Sequence, residues 1–306
     1  MKIFNRFSWL ALLAAVGSTI VFWNGEKVLA GTGQPSGGPL LTSSEVDDSS
    51  DSKLGHGKTV LLDAWFNSQK RADVHGQQIY FHYKWDDKSD SGYSLLGQIF
   101  NGFGAETKTL YTAPTVEALR QAQVYIIVSP DIPVKNPNPN YMQLQDVAQI
   151  VEWVKAGGVL MIMENDPPNA DLDHLNLLSD QFGIHFNDVL RNHVVGDQFE
   201  MGKVAIAAGG PIFHDSHTIF MKDTCTISAK VPATTVLREG KDTLMAVAQL
   251  GKGTVFAAVD PWLYNEYTDG HKLPSSYDNY AAGKELVRWI LTQIPHRAQI
   301  NSHSRR

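Results

Sequence analysis

QLQDVAQIVEWVKAGGVLMIMEND, residues 143–166, holds a complete helix-to-strand unit. Val147, Ile150, Val151 and Val154 recur at helical spacing, so Gln143–Lys155 carries one apolar face. Gly157 follows the last of them, where a helix commonly ends in left-handed backbone that glycine adopts without strain. Val159–Met163 is then apolar at every position, the mark of a strand covered on both faces. Glu164, Asn165 and Asp166 end it abruptly with polar groups.

Working outward, the same signals repeat. Thr59–Leu62, Val124–Val128 and Thr254–Val259 are further short β-prone runs bounded by Gly, Pro, Asp or Asn. Helical periodicity marks Gly92–Asn101, which Asp90 or Ser91 can cap, and also Leu172–Phe182 and Ala281–Ile294. Strands alternating with helices over short connections predict an α/β fold: a parallel sheet with helices on both faces. From about 184 to 250 the rhythm changes to short alternating pieces, Thr226–Lys230, Thr235–Arg238 and Thr243–Gln249, which predict an antiparallel β-rich excursion. Gly251–Gly253 predicts a hairpin turn.

Bulk properties narrow the function. The 306 residues are 43% hydrophobic with a formal net charge of −6, enough to close a large core and without the basic field that would hold phosphates. Nucleic acid is excluded as an expected partner. Lys2 and Arg6 precede an apolar run from Phe7 to Trp23, and Val28, Leu29 and Ala30 offer a small-x-small cleavage site. Residues 1–30 are therefore expected to be an export signal, leaving the protein periplasmic or extracellular; left uncleaved, this segment would be its only membrane attachment. Residues 31–56, rich in Gly, Pro, Ser and Asp, are expected to be a disordered linker, 57–295 the folded domain and 296–306 a flexible tail.

In an open parallel sheet, ligands bind beyond the carboxyl ends of the strands. The residues there are polar or aromatic: Asp63 and Trp65; Ser129 and Asp131; Glu164, Asn165 and Asp166; Asp260, Trp262, Tyr264, Asn265 and Glu266. Trp85 joins them from the loop YFHYKWDD. Aromatic rings stack on sugar faces, and carboxylates and amides pair with hydroxyls, so the set predicts a saccharide rim. Asp and Asn after a strand also commonly cap helices and shape turns, and both readings stay open here.

The stretches Tyr80–Phe100, Tyr125–Asp131, Trp153–Asn176, Gly196–Gly202 and Gly251–Pro274 resemble the accessory domain joined to bacterial unsaturated rhamnogalacturonyl hydrolases of glycoside hydrolase family 105, a domain similar in fold to class I glutamine amidotransferases. The resemblance implies a flavodoxin-like sheet and a setting in pectin degradation. It does not imply hydrolysis, because the (α/α) barrel that carries the family's catalysis is absent from this sequence. The amidotransferase nucleophile is also absent: the matching turn reads Glu164, Asn165, Asp166, and the lone Cys225 sits in the alternating DTCTISAK as a half-buried strand residue.

Other patterns are weaker. Asp87, Ser89, Ser91 and Gly92 imitate half a calcium loop, but Gln98 stands where a bidentate Glu is needed. His82, His174, His185, His193, His214 and His217 show no zinc-helix spacing, so neither metal nor cofactor is expected. The sequence predicts an exported, non-catalytic domain that binds a uronic-acid-containing pectic oligosaccharide or docks on a partner hydrolase. Two alternatives stand beside it. One is a glycosidase or lyase using Glu164, Asp166, Asp260 and Glu266 as an acid/base set; the other is a protein-interaction module.

Overall fold

Apolar runs without alternation need cover on both faces, and the helical segments supply it. A computed structural model describes residues 51–295; the expected signal, residues 31–50 of the linker and the tail 296–306 lie outside the described residues. In chain order the elements are β1 (Thr59–Asp63), β2 (Lys70–Ala72), β3 (Gln78–Tyr80), α1 (Ser94–Gly102), β4 (Glu106–Leu110), α2 (Val116–Leu119), β5 (Val124–Val128), α3 (Leu144–Lys155), β6 (Val159–Met163) and α4 (Leu172–Ser179). There follow β7 (Ile184–Arg191), β8 (Lys203–Ile206), β9 (His217–Phe220), β10 (Thr224–Ala229), β11 (Thr234–Glu239), β12 (Asp242–Leu250), β13 (Gly253–Ala258), α5 (Asn265–Thr268) and α6 (Asn279–Thr292).

The main sheet runs β4-β1-β5-β6-β13-β12-β10-β7, with β11 paired to β12. Its first five strands are mutually parallel. Numbered among themselves in chain order, they give 2-1-3-4-5, the flavodoxin-like order, whose direction of winding reverses between β1 and β5. Helices α1 and α6 pack together, as do α2, α3 and α4, giving two helical layers across the sheet. Strands β1, β5, β6 and β13 are buried at every position, as unbroken apolar runs require.

The excursion is antiparallel. β7 pairs with β10, and β10 and β11 with β12, before a two-residue turn at Gly251–Lys252 returns the chain as β13. On α3, Val147, Ile150, Trp153 and Val154 face the core, Gln143 N donates to Asp146 Oδ2, and Gly157 takes φ +120° beyond the last turn.

Two expectations are corrected. The fold begins before residue 57: Gly55 N donates to Phe103 O and Asp51 pairs with Arg288. Neither Asp90 nor Ser91 caps α1; Leu95 N instead donates to Asn265 Oδ1, from the loop after β13.

Candidate functional site

The two strand ends at the reversal point show how local chemistry shapes the rim. Asp63, the last residue of β1, turns its carboxylate onto the chain that follows: Oδ2 accepts from the amides of Trp65, Phe66 and Asn67. Its Oδ1 accepts from Tyr125 Oη at 2.7 Å. Burial pushes its carboxyl up to about 6, against the opposing pull of the Tyr125 hydrogen bond and the nearby Lys84 charge. Lys84 itself is buried, donating to Asn67 O, Asn67 Oδ1 and His82 O, and burial brings its ammonium down to about 8. Beyond β5, Asp131 does similar work, accepting from Ser68 N and Gln69 Nε2, each at 2.8 Å, and from Asn136 Nδ2 at 2.9 Å. Asp63 and Asp131, expected to meet a ligand directly, are both buried and spend their oxygens shaping these turns.

What they shape is a cleft of about 340 Å³ at the reversal between β1 and β5. Trp65, Tyr80 and Tyr111 line it with rings, Gln69, Asn136, Asn138 and Asn140 with amides, and Lys70 and Lys135 with ammonium groups. Its lining contains no carboxylate. The Tyr80 and Tyr111 rings are 4.8 Å apart between centroids, and Lys70 Nζ lies 4.6 Å from the Tyr80 centroid. Asn140 Nδ2 donates to Trp65 O, fastening the two walls together. Of these residues only Trp65 was expected among the binding groups. The missed signal was the run KNPNPN (135–140), amides and prolines in the loop that follows β5, the strand that borders the reversal.

A second cleft of about 200 Å³ lies alongside, lined by His82, Tyr83, Asn165, Lys222, Asp223, Tyr264, Glu266, Tyr267 and, again, Lys135. Tyr83 Oη and Tyr264 Oη are 3.2 Å apart, and Asn165 Nδ2 reaches Tyr83 Oη at 3.4 Å. His82, Tyr83 and Asp223 all take left-handed backbone, at φ 65°, 54° and 51°. Each such non-glycine residue costs about 1–3 kcal/mol, and such strain gathers where a surface is held ready for binding. Burial, with the Lys135 and Lys84 charges, lowers His82 to about 3, so its imidazole is neutral. Asn165, Tyr264 and Glu266 from the expected rim meet here.

The remaining expected residues are placed differently. Glu164 and Asp260 lie just beyond adjacent strands, β6 and β13, but both are fully enclosed, and burial raises both carboxyls well above the usual range. Glu164 Oε1 accepts from Asn165 N, and Asp260 Oδ2 accepts from Lys222 N. Neither carboxyl is open to a glycosidic oxygen. Asp166 is buried and accepts from Asn169 Nδ2, while Glu266 is held by Lys272. Trp262 lies wholly in the core and presents no face for stacking. Trp85 covers Gly97 and donates from Nε1 to Lys108 O. Asn265, besides capping α1, holds the Asp87 and Ser89 carbonyls through Nδ2.

The calcium-like segment is a turn: the Asp87 carboxylate accepts from His82 N and from the Ser89 amide and hydroxyl, and pairs with Arg71. Cys225 is fully rather than half buried, and burial raises its thiol well above the ordinary value. His174, His185, His193 and His217 each pair with a separate aspartate.

No family model and no curated protein matches the chain. Among solved structures, the mmIFT52 N-terminal domain superposes with a TM-score of 0.57 at 17% identity, covering 77% of this chain and 98% of that one. A cytoplasmic protein from Salmonella typhimurium LT2 gives 0.50 at 13% identity, covering 78% and 99%. Part of the exo-β-1,4-mannosidase Op5Man5 from Opitutaceae bacterium strain TAV5 aligns at 0.46 and 13% identity, over 79% of this chain and 37% of that one. The first two likenesses are of fold, and the chain is an α/β domain of flavodoxin-like order whose chemistry is read from its own clefts.

Proposed function

We propose that this domain binds a uronic-acid-containing oligosaccharide of the pectic, rhamnogalacturonan type in the cleft at the sheet reversal, and does not cleave it. The observation that carries the reading is the lining of that cleft: three aromatic rings, four amides and two ammonium groups, with no carboxylate among them. Rings take the apolar faces of pyranoses, amides both donate to and accept from hydroxyls, and ammonium groups pair with uronate carboxylates. A negatively charged sugar would meet no like charge in the lining. The enclosure of Glu164 and Asp260 supports the non-catalytic half of the proposal, since a general acid must reach the oxygen it protonates. The motif resemblance to a pectin-associated accessory domain points the same way, and export through residues 1–30 would bring the domain to extracellular polymer.

The test is calorimetric titration of the protein with unsaturated galacturonyl-rhamnose disaccharide and with galacturonate oligomers, with the mixtures then analysed for new reducing ends. Saturable binding without product is expected. Trp65→Ala should weaken it by about tenfold, the loss of one stacked ring. Absence of binding to every acidic saccharide would overturn the reading, and release of reducing ends would overturn its non-catalytic half.

A further inference from the structure

Lys135 lines both clefts. Its Nζ donates to Asn169 O at 2.7 Å, and an ammonium has three donors to place. Of the carboxyl groups near it, Asp166 accepts from Asn169 Nδ2, Asp131 is engaged by Ser68, Gln69 and Asn136, and Glu164 is held toward its neutral form. A half-buried cation in that position calls for an anion from outside.

The second cleft shares rings, an amide and an ammonium group with the first, and adds two carboxylates, Asp223 and Glu266, each paired with a lysine. Tyr83 and Tyr264 stack with centroids 5.3 Å apart, and Tyr264 meets Tyr267 edge-on at 5.1 Å, a wall of rings beside the Asn165 amide and the Lys222 ammonium. Alone, its 200 Å³ falls below the roughly 300–1,000 Å³ of ligand clefts, while the two taken together fall within that range. A long hydrogen bond spans the partition between them, His82 Nδ1 lying 3.4 Å from Gln69 Oε1.

We propose that the two clefts are successive subsites of one groove, that the ligand is an oligosaccharide long enough to occupy both, and that one uronate carboxylate of that chain is held by Lys135 at the junction. The inference rests on the saccharide reading above and adds to it chain length and the position of a charge.

The probes are galacturonate oligomers of two to six residues, titrated calorimetrically into the whole protein. Affinity should rise at least about tenfold between the dimer and the longer oligomers and then level off. Lys222→Glu should weaken hexamer binding while leaving dimer binding unchanged, because of the two clefts Lys222 lines the second; among the described residues its ammonium pairs with neighbouring Asp223 at 3.7 Å, and thermal melting checks that folding is retained. A carboxyl-reduced hexamer should bind about tenfold more weakly than the acidic one to the native protein, and the loss should be smaller for Lys135→Met, where Lys70 and Lys222 alone remain to meet uronates. Dimer and hexamer binding alike, with Lys222→Glu silent for both, would overturn the two-subsite groove and leave single-cleft saccharide binding standing. Equal loss on carboxyl reduction in Lys135→Met and native protein would overturn the assignment of Lys135. Failure of every length to bind would remove the saccharide reading and this inference with it.

Discussion

Asp63 and Lys84 bind the rim together from beneath, and their titrations have opposite consequences. The Asp63 carboxyl stands at about 6 in the fold against 3.8 ordinarily, so the stability it contributes is fully present below about pH 4 and lost as the pH rises through 6. Lys84 stands at about 8 against 10.5, so its contribution is present above about pH 10.5 and lost as the pH falls through 8. In thermal melts, Asp63→Asn should therefore gain on the native protein between pH 4 and 6, and the difference should be flat above pH 7. Lys84→Met should lose ground to the native protein between pH 8 and 10.5. Melting differences that do not move across those windows would show that neither group titrates as its surroundings dictate. At this scale the sequence was a partial guide. That polar residues follow each strand was plain to read, but whether Asp131 faces a ligand or its own loop depends on Ser68, Gln69 and Asn136 closing around it, which no local pattern records. Trp262 likewise looked like a rim aromatic and is core, because the chain turns inward after Asp260.

Among the elements, α1 shows most clearly where local reading stops. Its apolar face was legible, but its cap comes from Asn265, 170 residues further along the chain from Leu95. Asn265 also ties down the Asp87 and Ser89 carbonyls, so Asn265→Ala should strand an amide donor and two acceptors and destabilise the fold by about 2–4 kcal/mol, measurable by urea denaturation. Gly92 packs in the same knot. A Cβ there would lie 1.8 Å from Asp87 O, so Gly92→Ala should cost at least about 1–3 kcal/mol through forced backbone movement. The buried strands were readable because burial on both faces forces an unbroken apolar run. Strand β4, ETKTL, was not: it lies at the sheet edge and exposes alternate residues, so its letters resemble a polar loop. The hairpin β2–β3 escaped for a related reason, being exposed along most of its length.

For the molecule as a whole, the flavodoxin-like order follows from right-handed crossovers, but the place of β4 on the far side of β1 decides where the winding reverses and hence where the first cleft opens. Hydrogen exchange should grade outward from that architecture. The amides of β5, β6 and β13, central and buried throughout, should open only with global unfolding, while those of β2 and β3 should exchange fastest among the strands. Comparable protection in β2–β3 and β6 would contradict the layering. Cys225 lies against this protected centre, with Sγ 3.9 Å from Val259 O, and the sequence contains no other thiol. A maleimide added to the native protein has a single place to react and reaches it only when the interior parts, so the rate of labelling acts as a clock on the opening of the molecule, read without any engineered reporter.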